Sequence, residues 1–306
     1  MIAAVPMSPL RALAWRVLLA VLLLVPGPGA MAQPASGARN YLWEVTSLTG
    51  RVYLYGTVHA GKSAWFPLPA AVEKAFAESP VLVVEADITN AEAMTKSSAQ
   101  MVYAPPDKLA NHVEAADYAR FRKLVARYGI PEREVDTLKP LMAASLLVFS
   151  EWGRLGYLPR FGIEGYLLTK AERVKEVVEL EGVAAQSALM DSLTDAESRT
   201  AFSGTLQALE SGLTSEQITG MVNAWQTGDP ALLLEVARKY NQDVPGSAVI
   251  EEKFIWSRHA EMVKKIEGFL LQPRRPHFVA VGALHLAGPR GLVELLKARG
   301  YLVRQL

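Results

Sequence analysis

The feature that most constrains this chain is an echo between its two ends. Residues 51–59 read Arg-Val-Tyr-Leu-Tyr-Gly-Thr-Val-His, and residues 277–285 read His-Phe-Val-Ala-Val-Gly-Ala-Leu-His. In each, an apolar run of strand-like composition meets a glycine, and a histidine follows three residues later. A glycine at a strand end lets the backbone turn tightly or approach a ligand closely. His59 and His285 stand 226 positions apart, so only a fold that places both chain ends in one sheet can make them neighbours. Ligands of open α/β sheets bind outside the C-terminal ends of the strands, and both rings would emerge there.

The remaining pattern supports such a sheet. Residues 42–45 and 52–55 flank Leu48-Thr49-Gly50-Arg51 and predict a hairpin. Residues 81–84, Val-Leu-Val-Val, form a short, wholly apolar run of the kind that makes a buried central strand. A further strand is expected over 176–180, and the chain closes with a strand over 277–281, a helix over 289–299 and a strand over 301–304. Between these, helical spacing dominates: 69–79, 115–128, 138–152, 163–173, 194–240 with a break at Gly228-Asp229-Pro230, and one long amphipathic helix over 251–271 ended by Pro273 and Pro276. The expected fold class is therefore α/β (α+β): a central mixed sheet from N- and C-terminal strands, about 41–90 and 272–306, with a large, mostly helical insertion over about 91–271.

Residues 1–32 read differently. Arg11 and Arg16 precede an unbroken apolar run over 17–25, Pro26 to Gly29 breaks it, and Ala30-Met31-Ala32 gives a small-x-small cleavage pattern. This is the anatomy of a secretory signal peptide, and the run falls short of the ~20 residues a spanning helix needs. We expect cleavage near Ala32, a single domain over 33–306, a periplasmic or secreted location and no membrane association afterwards. Removing the leader takes away two arginines and no acid, leaving 30 basic and 31 acidic side chains. That near-balance, without a polybasic block, argues against nucleic-acid binding. The absence of cysteine excludes a lipoprotein anchor, a thiolate metal site and a cysteine nucleophile.

Glu85 ends the strand at 81–84 and would share the sheet edge with His59 and His285. Two imidazoles and a carboxylate suit a divalent metal such as Mn, Co or Zn with an open position, which activates water and polarises a carbonyl. The plain alternative is that each histidine only caps its strand. Glu181, after the strand at 176–180, is a further carboxylate or base, or a solvated turn residue. Glu164 opens a helix, where the macrodipole alone favours an acid. Arg258, on the long helix between Ser257 and His259, is a candidate oxyanion stabiliser or an ordinary ion-pair group. His112 and His277 carry no motif, and Trp225 and Trp256 fall on apolar helical positions. Phosphate-loop, nucleophile-elbow and His-Glu-x-x-His patterns are absent from the sequence.

Taken together, the motifs resemble the TraB/GumN family, which includes the animal TIKI proteases. The likeness rests on Leu42-Trp43-Glu44-Val45, Gly56-Thr57-Val58-His59, Val84-Glu85-Ala86-Asp87, Gly162-Ile163-Glu164, Leu180-Glu181-Gly182, Trp225 with Gly228-Asp229, Arg258, and Gly282-Ala283-Leu284-His285 with Gly288. It implies a fold related to erythromycin esterases and to a haem-binding iron-uptake lipoprotein, and active-site roles that fall on His59, His285, Glu85 and Arg258. It also implies divalent-metal-dependent peptidase activity, with manganese or cobalt. Two departures stand out: Glu164 where the family often has Asp, and His259 where Asn often follows the arginine. His259 could then be an extra ligand.

The expectation is a metal-dependent hydrolase of peptides or small acyl compounds, with His59, Glu85 and His285 on the metal, and Glu181, Glu164 and Arg258 as catalytic groups. The alternative is a non-catalytic periplasmic protein that binds a ligand such as haem or assists exopolysaccharide export. Oligomeric state is not legible in the sequence.

Overall fold

A computed structural model describes residues 39–242 and 244–306; the expected leader lies outside the described residues. Strand β1 (Leu42–Thr46) turns into β2 (Arg51–Thr57), and they pair antiparallel with Leu42 opposite Tyr55 and Val45 opposite Val52. The turn is closed by the Ser47 N–H donating to the Gly50 carbonyl at 3.0 Å and the Gly50 N–H donating to Ser47 Oγ at 2.9 Å.

Four more strands complete the sheet: β3 (Val81–Val84), β4 (Glu176–Glu179), β5 (His277–Gly282) and β6 (Leu302–Gln305). Their order is β4-β3-β5-β2-β1-β6. The run from β4 to β2 is parallel throughout, whereas β1 is antiparallel to both β2 and β6. The two echoed segments are thus direct neighbours, with Gly56 opposite Val281 and Thr57 opposite Gly282. The terminal strands build one mixed sheet, as their sequences require. β3 and β5 are buried on both faces, which is why they read as continuous apolar runs rather than alternating ones.

The helices are, in order, α1 (Ala70–Glu78), α2 (Ala91–Gln100), α3 (Ala115–Arg127), α4 (Pro140–Arg154), α5 (Ile163–Ala171), α6 (Val183–Asp191), α7 (Asp195–Ser211), α8 (Leu213–Gln226), α9 (Pro230–Asn241), α10 (Ser247–Phe254), α11 (His259–Leu270) and α12 (Leu292–Ala298). Two starts follow from local chemistry. Thr194 and Glu197 form a reciprocal capping box on α7. Asp229 accepts the N–H groups of Ala231 and Leu232 at 3.0 and 2.9 Å, with Pro230 preset for the first turn of α9.

The main core lies around the sheet, and a second cluster, including Leu109, Phe121, Leu147, Phe202 and Leu206, holds α3, α4 and α7 together. Among the described residues no helix is long and apolar enough to cross a membrane.

One expectation is corrected. Residues 251–271 are not one helix: α10 ends at Phe254, Ile255 leaves helical geometry at φ −123° and ψ −70°, and a tight turn over Trp256–Arg258 precedes α11. Arg258 Nη1 reaches back to the Phe254 carbonyl at 2.7 Å, and the rest of its guanidinium is held by residues from the sheet edge. The amphipathic period persists across the break, so the interruption leaves no mark in the apolar pattern.

Candidate functional site

Because β4, β3, β5 and β2 are adjacent and parallel, the residues after their C-terminal ends line up on one edge. In sheet order they are Glu181, Glu85, His285 and His59. The loops that carry the histidines are fixed by close packing. A Cβ at Gly56 would overlap the Tyr41 ring, and one at Gly162 would overlap the His59 carbonyl. With glycine at 162, the Ile163 N–H can donate to the Val58 carbonyl at 3.0 Å, which sets the first turn of α5, and Glu164 with it, beside His59. Trp225 Nε1 donates to the Gly56 carbonyl at 2.7 Å from the other side.

Arg258 organises the buried half of the site. Its side chain is 9% exposed, and those of Glu85 and Glu181 are 14% exposed. Nε donates to both Glu181 oxygens at 2.9 and 3.1 Å, Nη2 donates to Glu85 and Glu181, and Nη1 donates to the Phe254 carbonyl and to His285 Nε2 at 3.0 Å. A guanidinium has five N–H groups, and all five are committed. None is left free in this structure to meet a developing oxyanion, one of the two roles the sequence left open for Arg258; the other, an ion-pair group, matches these contacts.

The histidine tautomers follow from this network. The Arg290 carbonyl can only accept, so His259 Nδ1, 2.6 Å away, donates to it. In a neutral ring His259 Nε2 then accepts from His285 Nδ1 at 2.8 Å, and His285 Nε2 is left as an acceptor facing Arg258. Both rings are therefore neutral. Burial drives the same result, lowering the proton affinity of His259 and taking that of His285 down to about 3. Glu85 is ionised despite its burial: the Arg258 guanidinium and the Gly282 N–H, 2.7 Å from Oε1, hold its carboxyl well below the usual carboxylate range. Gln186 Nε2 of α6 donates to the other oxygen at 3.2 Å.

His59 forms the open half. Its side chain is 66% exposed, and Nδ1 lies 3.0 Å from Glu164 Oε1, which also accepts the Thr57 hydroxyl. The Glu164 carboxylate raises the proton affinity of the ring, and Glu85 adds to this from farther away. Glu164 itself is pulled down by His59 and Thr57 against the cost of burial. His59 Nε2 has no hydrogen-bond partner among the described residues.

The donor set expected for a divalent ion does not fit one as it stands. His285 Nε2, the lone pair a metal would take, faces a guanidinium 3.0 Å away, and the two neighbouring carboxylates are already bound by the same cation. Among the described residues, no three His, Asp or Glu side chains are grouped as the ligands of one ion. His285 and Glu85 are close, with Nε2 and Oε2 3.7 Å apart, whereas His59 is paired with Glu164. His259, which the sequence left open as an extra ligand, is buried and bound to His285. Gln186 carries no motif and escaped notice, and Thr57, though inside the first Gly-x-x-His motif, was given no role.

A family model described as the TraB/PrgY/gumN family matches residues 41–305. Among curated proteins, the chain is similar to the "Uncharacterized protein YbaP" of Escherichia coli strain K12 and to that of Shigella flexneri. Each is 22% identical over 269 residues, covering 84% of this chain and 94% of the relative. No solved structure matches the chain.

Proposed function

The chain belongs to the TraB/PrgY/gumN family, and from that premise we propose that it is a hydrolase of peptide or other acyl bonds in which His59 is the proton-transferring group. The observation that carries this reading is the exposed His59 ring held through Nδ1 by Glu164, beside a buried charged cluster on the same sheet edge. Glu164 accepts from Nδ1–H and holds the proton affinity of the ring up at about 9, so Nε2 offers its lone pair in the deprotonated ring, the form that grows as pH rises toward that value. Nε2 takes a proton from a water as the water oxygen adds to the substrate carbonyl carbon. It returns the proton to the leaving alkoxide or amine when the tetrahedral intermediate collapses.

The positive imidazolium formed midway is favoured by Glu164 and by the cluster, in which two carboxylates face one guanidinium. Arg258 acts as a positioning residue that holds Glu85 and Glu181 in place, and His285 and His259 brace it from the other side. The leader pattern at residues 1–32 supports a periplasmic or secreted setting.

Hydrolysis of a p-nitrophenyl ester series and a peptide library tests the reading, with His59→Ala and Glu164→Gln assayed alongside. His59→Ala should lose about 10²–10⁴-fold in kcat/KM, the usual size of a general-base contribution. Wild-type turnover by that variant would overturn it.

A further inference from the structure

We propose that the helical part carries a binding chamber for a long-chain acyl group, and that the substrate class of the site is a long-chain acyl ester or amide. The proposal rests on the hydrolase reading for its second half only. The chamber is a half-open cavity of about 430 Å³ lined by α4, α7, α8, α9 and α10, within the ~300–1,000 Å³ range of small-molecule sites. Leu141, Ser145, Val148 and Trp152 line it from α4, at the spacing of one helix face. Leu213 and Met221 of α8 and Ile250 of α10 lie on the same cavity.

The wall chemistry selects the ligand. Among the described lining residues Glu251 is the one charged side chain, and its Oε1 is taken by Trp256 Nε1 at 2.7 Å. The amides of Gln217 and Asn241 are bonded to each other at 2.9 Å. A peptide in this chamber would bring many backbone polar groups that need partners, and most of the wall, including Leu141, Val148, Leu213, Met221 and Ile250, is apolar and offers none. A hydrocarbon chain makes no such demand.

The position of the chamber ties it to the sheet edge. Leu284, the residue before His285, is part of its wall. So is Trp256, whose ring meets His259 edge-on with centroids 5.4 Å apart. From Trp152, aromatic contacts run through Tyr157 at 5.6 Å, Trp65 at 5.7 Å and Trp225 at 5.0 Å. Trp225 is bonded to the Gly56 carbonyl. Both Gly-x-x-His loops are therefore backed by the chamber wall or by aromatics packed onto it.

The test uses 12-bromododecanoate, whose terminal bromine quenches tryptophan at close range. Saturable quenching that is diminished in Trp152→Phe is the expected result. Val148→Trp and Leu213→Trp, each verified as folded by circular dichroism, should weaken binding measured by titration calorimetry at least tenfold. No saturable binding, or unchanged affinity in both filling variants, would overturn the chamber. Binding should persist in His59→Ala. If the bromo acid binds as described while His59→Ala hydrolyses esters normally, the hydrolase reading falls and the chamber stands. If His59→Ala abolishes hydrolysis while the bromo acid does not bind, the reverse holds. An active enzyme that cleaves dodecanoyl esters no faster than acetyl esters would remove the substrate class.

Discussion

His285 directs the lone pair of Nε2 at Arg258, 3.0 Å from Nη1, and donates from neither nitrogen to any acid. The acceptor state of this ring is set two steps away, by the Arg290 carbonyl acting through His259. The consequence is a site in which a side-chain cation occupies the place between Glu85, Glu181 and His285.

Removing that cation should be costly. Arg258→Ala leaves two largely buried carboxylates side by side with no counter-charge, and deleting one partner of a buried ion pair typically destabilises by about 3–5 kcal/mol. Urea unfolding at neutral pH measures the loss. Arg258→Lys should recover only part of it, because an ammonium cannot reproduce the planar fork that reaches both carboxylates.

The same substitution should also create a cation site. With the guanidinium gone, Glu85, Glu181 and the His285 lone pair face a shared space, a donor set that suits a first-row divalent ion. Titration calorimetry with Mn²⁺ or Zn²⁺ should show binding to Arg258→Ala at least tenfold tighter than to the wild type. Equal affinities would mean that the guanidinium is not what governs access to these donors.

The sheet was legible because its signals are local. The Gly-x-x-His echo, the apolar run at 81–84 and the two terminal strands each follow from composition and period within a few residues, and their pairing follows from the need to bury both faces. The strand-end acids and Arg258 were legible as candidates, but their partnership was not. It joins Arg258 to Glu181 and Glu85 across 77 and 173 positions, and no periodicity reports such a distance. The break before Arg258 was hidden for the same reason. Residues 251–271 keep a helical apolar stripe on either side of Ile255, and what interrupts them is a hydrogen bond from a side chain anchored elsewhere. His259 stood out only as a candidate extra ligand, because it replaces the Asn that often follows the arginine in the family, and its two bonded nitrogens are visible only in the fold.

The two echoed glycines should respond differently to a methyl group. A Cβ at Gly56 would collide with the buried Tyr41 ring and lie 3.1 Å from Ala283 Cα, whereas at Gly282 the nearest atoms are Glu85 Oε1 and His285 Cδ2, both at 3.5 Å. Neither backbone requires positive φ, since neither is among the positive-φ glycines. Gly56→Ala should cost about 1–3 kcal/mol through overpacking, and Gly282→Ala should cost clearly less. Urea midpoints of the two variants decide the matter, and equal losses would contradict the packing argument.

The last prediction concerns pH and lies away from the sheet edge. Glu151 on α4 is buried, with 2% of its side chain exposed. Arg154 donates to it at 2.8 and 2.6 Å, Tyr128 donates at 2.9 Å, and the Ser215 hydroxyl of α8 completes the set. The Arg154 hydrogen bonds, reinforced by those of Ser215 and Tyr128 against the opposing effect of burial, hold its carboxyl at about 2, below the ordinary value of 4.5. A carboxyl depressed in the folded state binds protons less tightly there than in the unfolded chain, so its stabilisation is complete above about pH 4.5 and is lost as pH falls toward 2. Glu151→Gln keeps the shape and removes the charge, and hydrogen bonds to a charged group contribute about 1.5–3 kcal/mol each. At pH 7 the variant should therefore melt well below the wild type. That gap should narrow progressively between pH 4.5 and 2, and a gap independent of pH over this range would show that the charge on Glu151 does not hold α4 to α8.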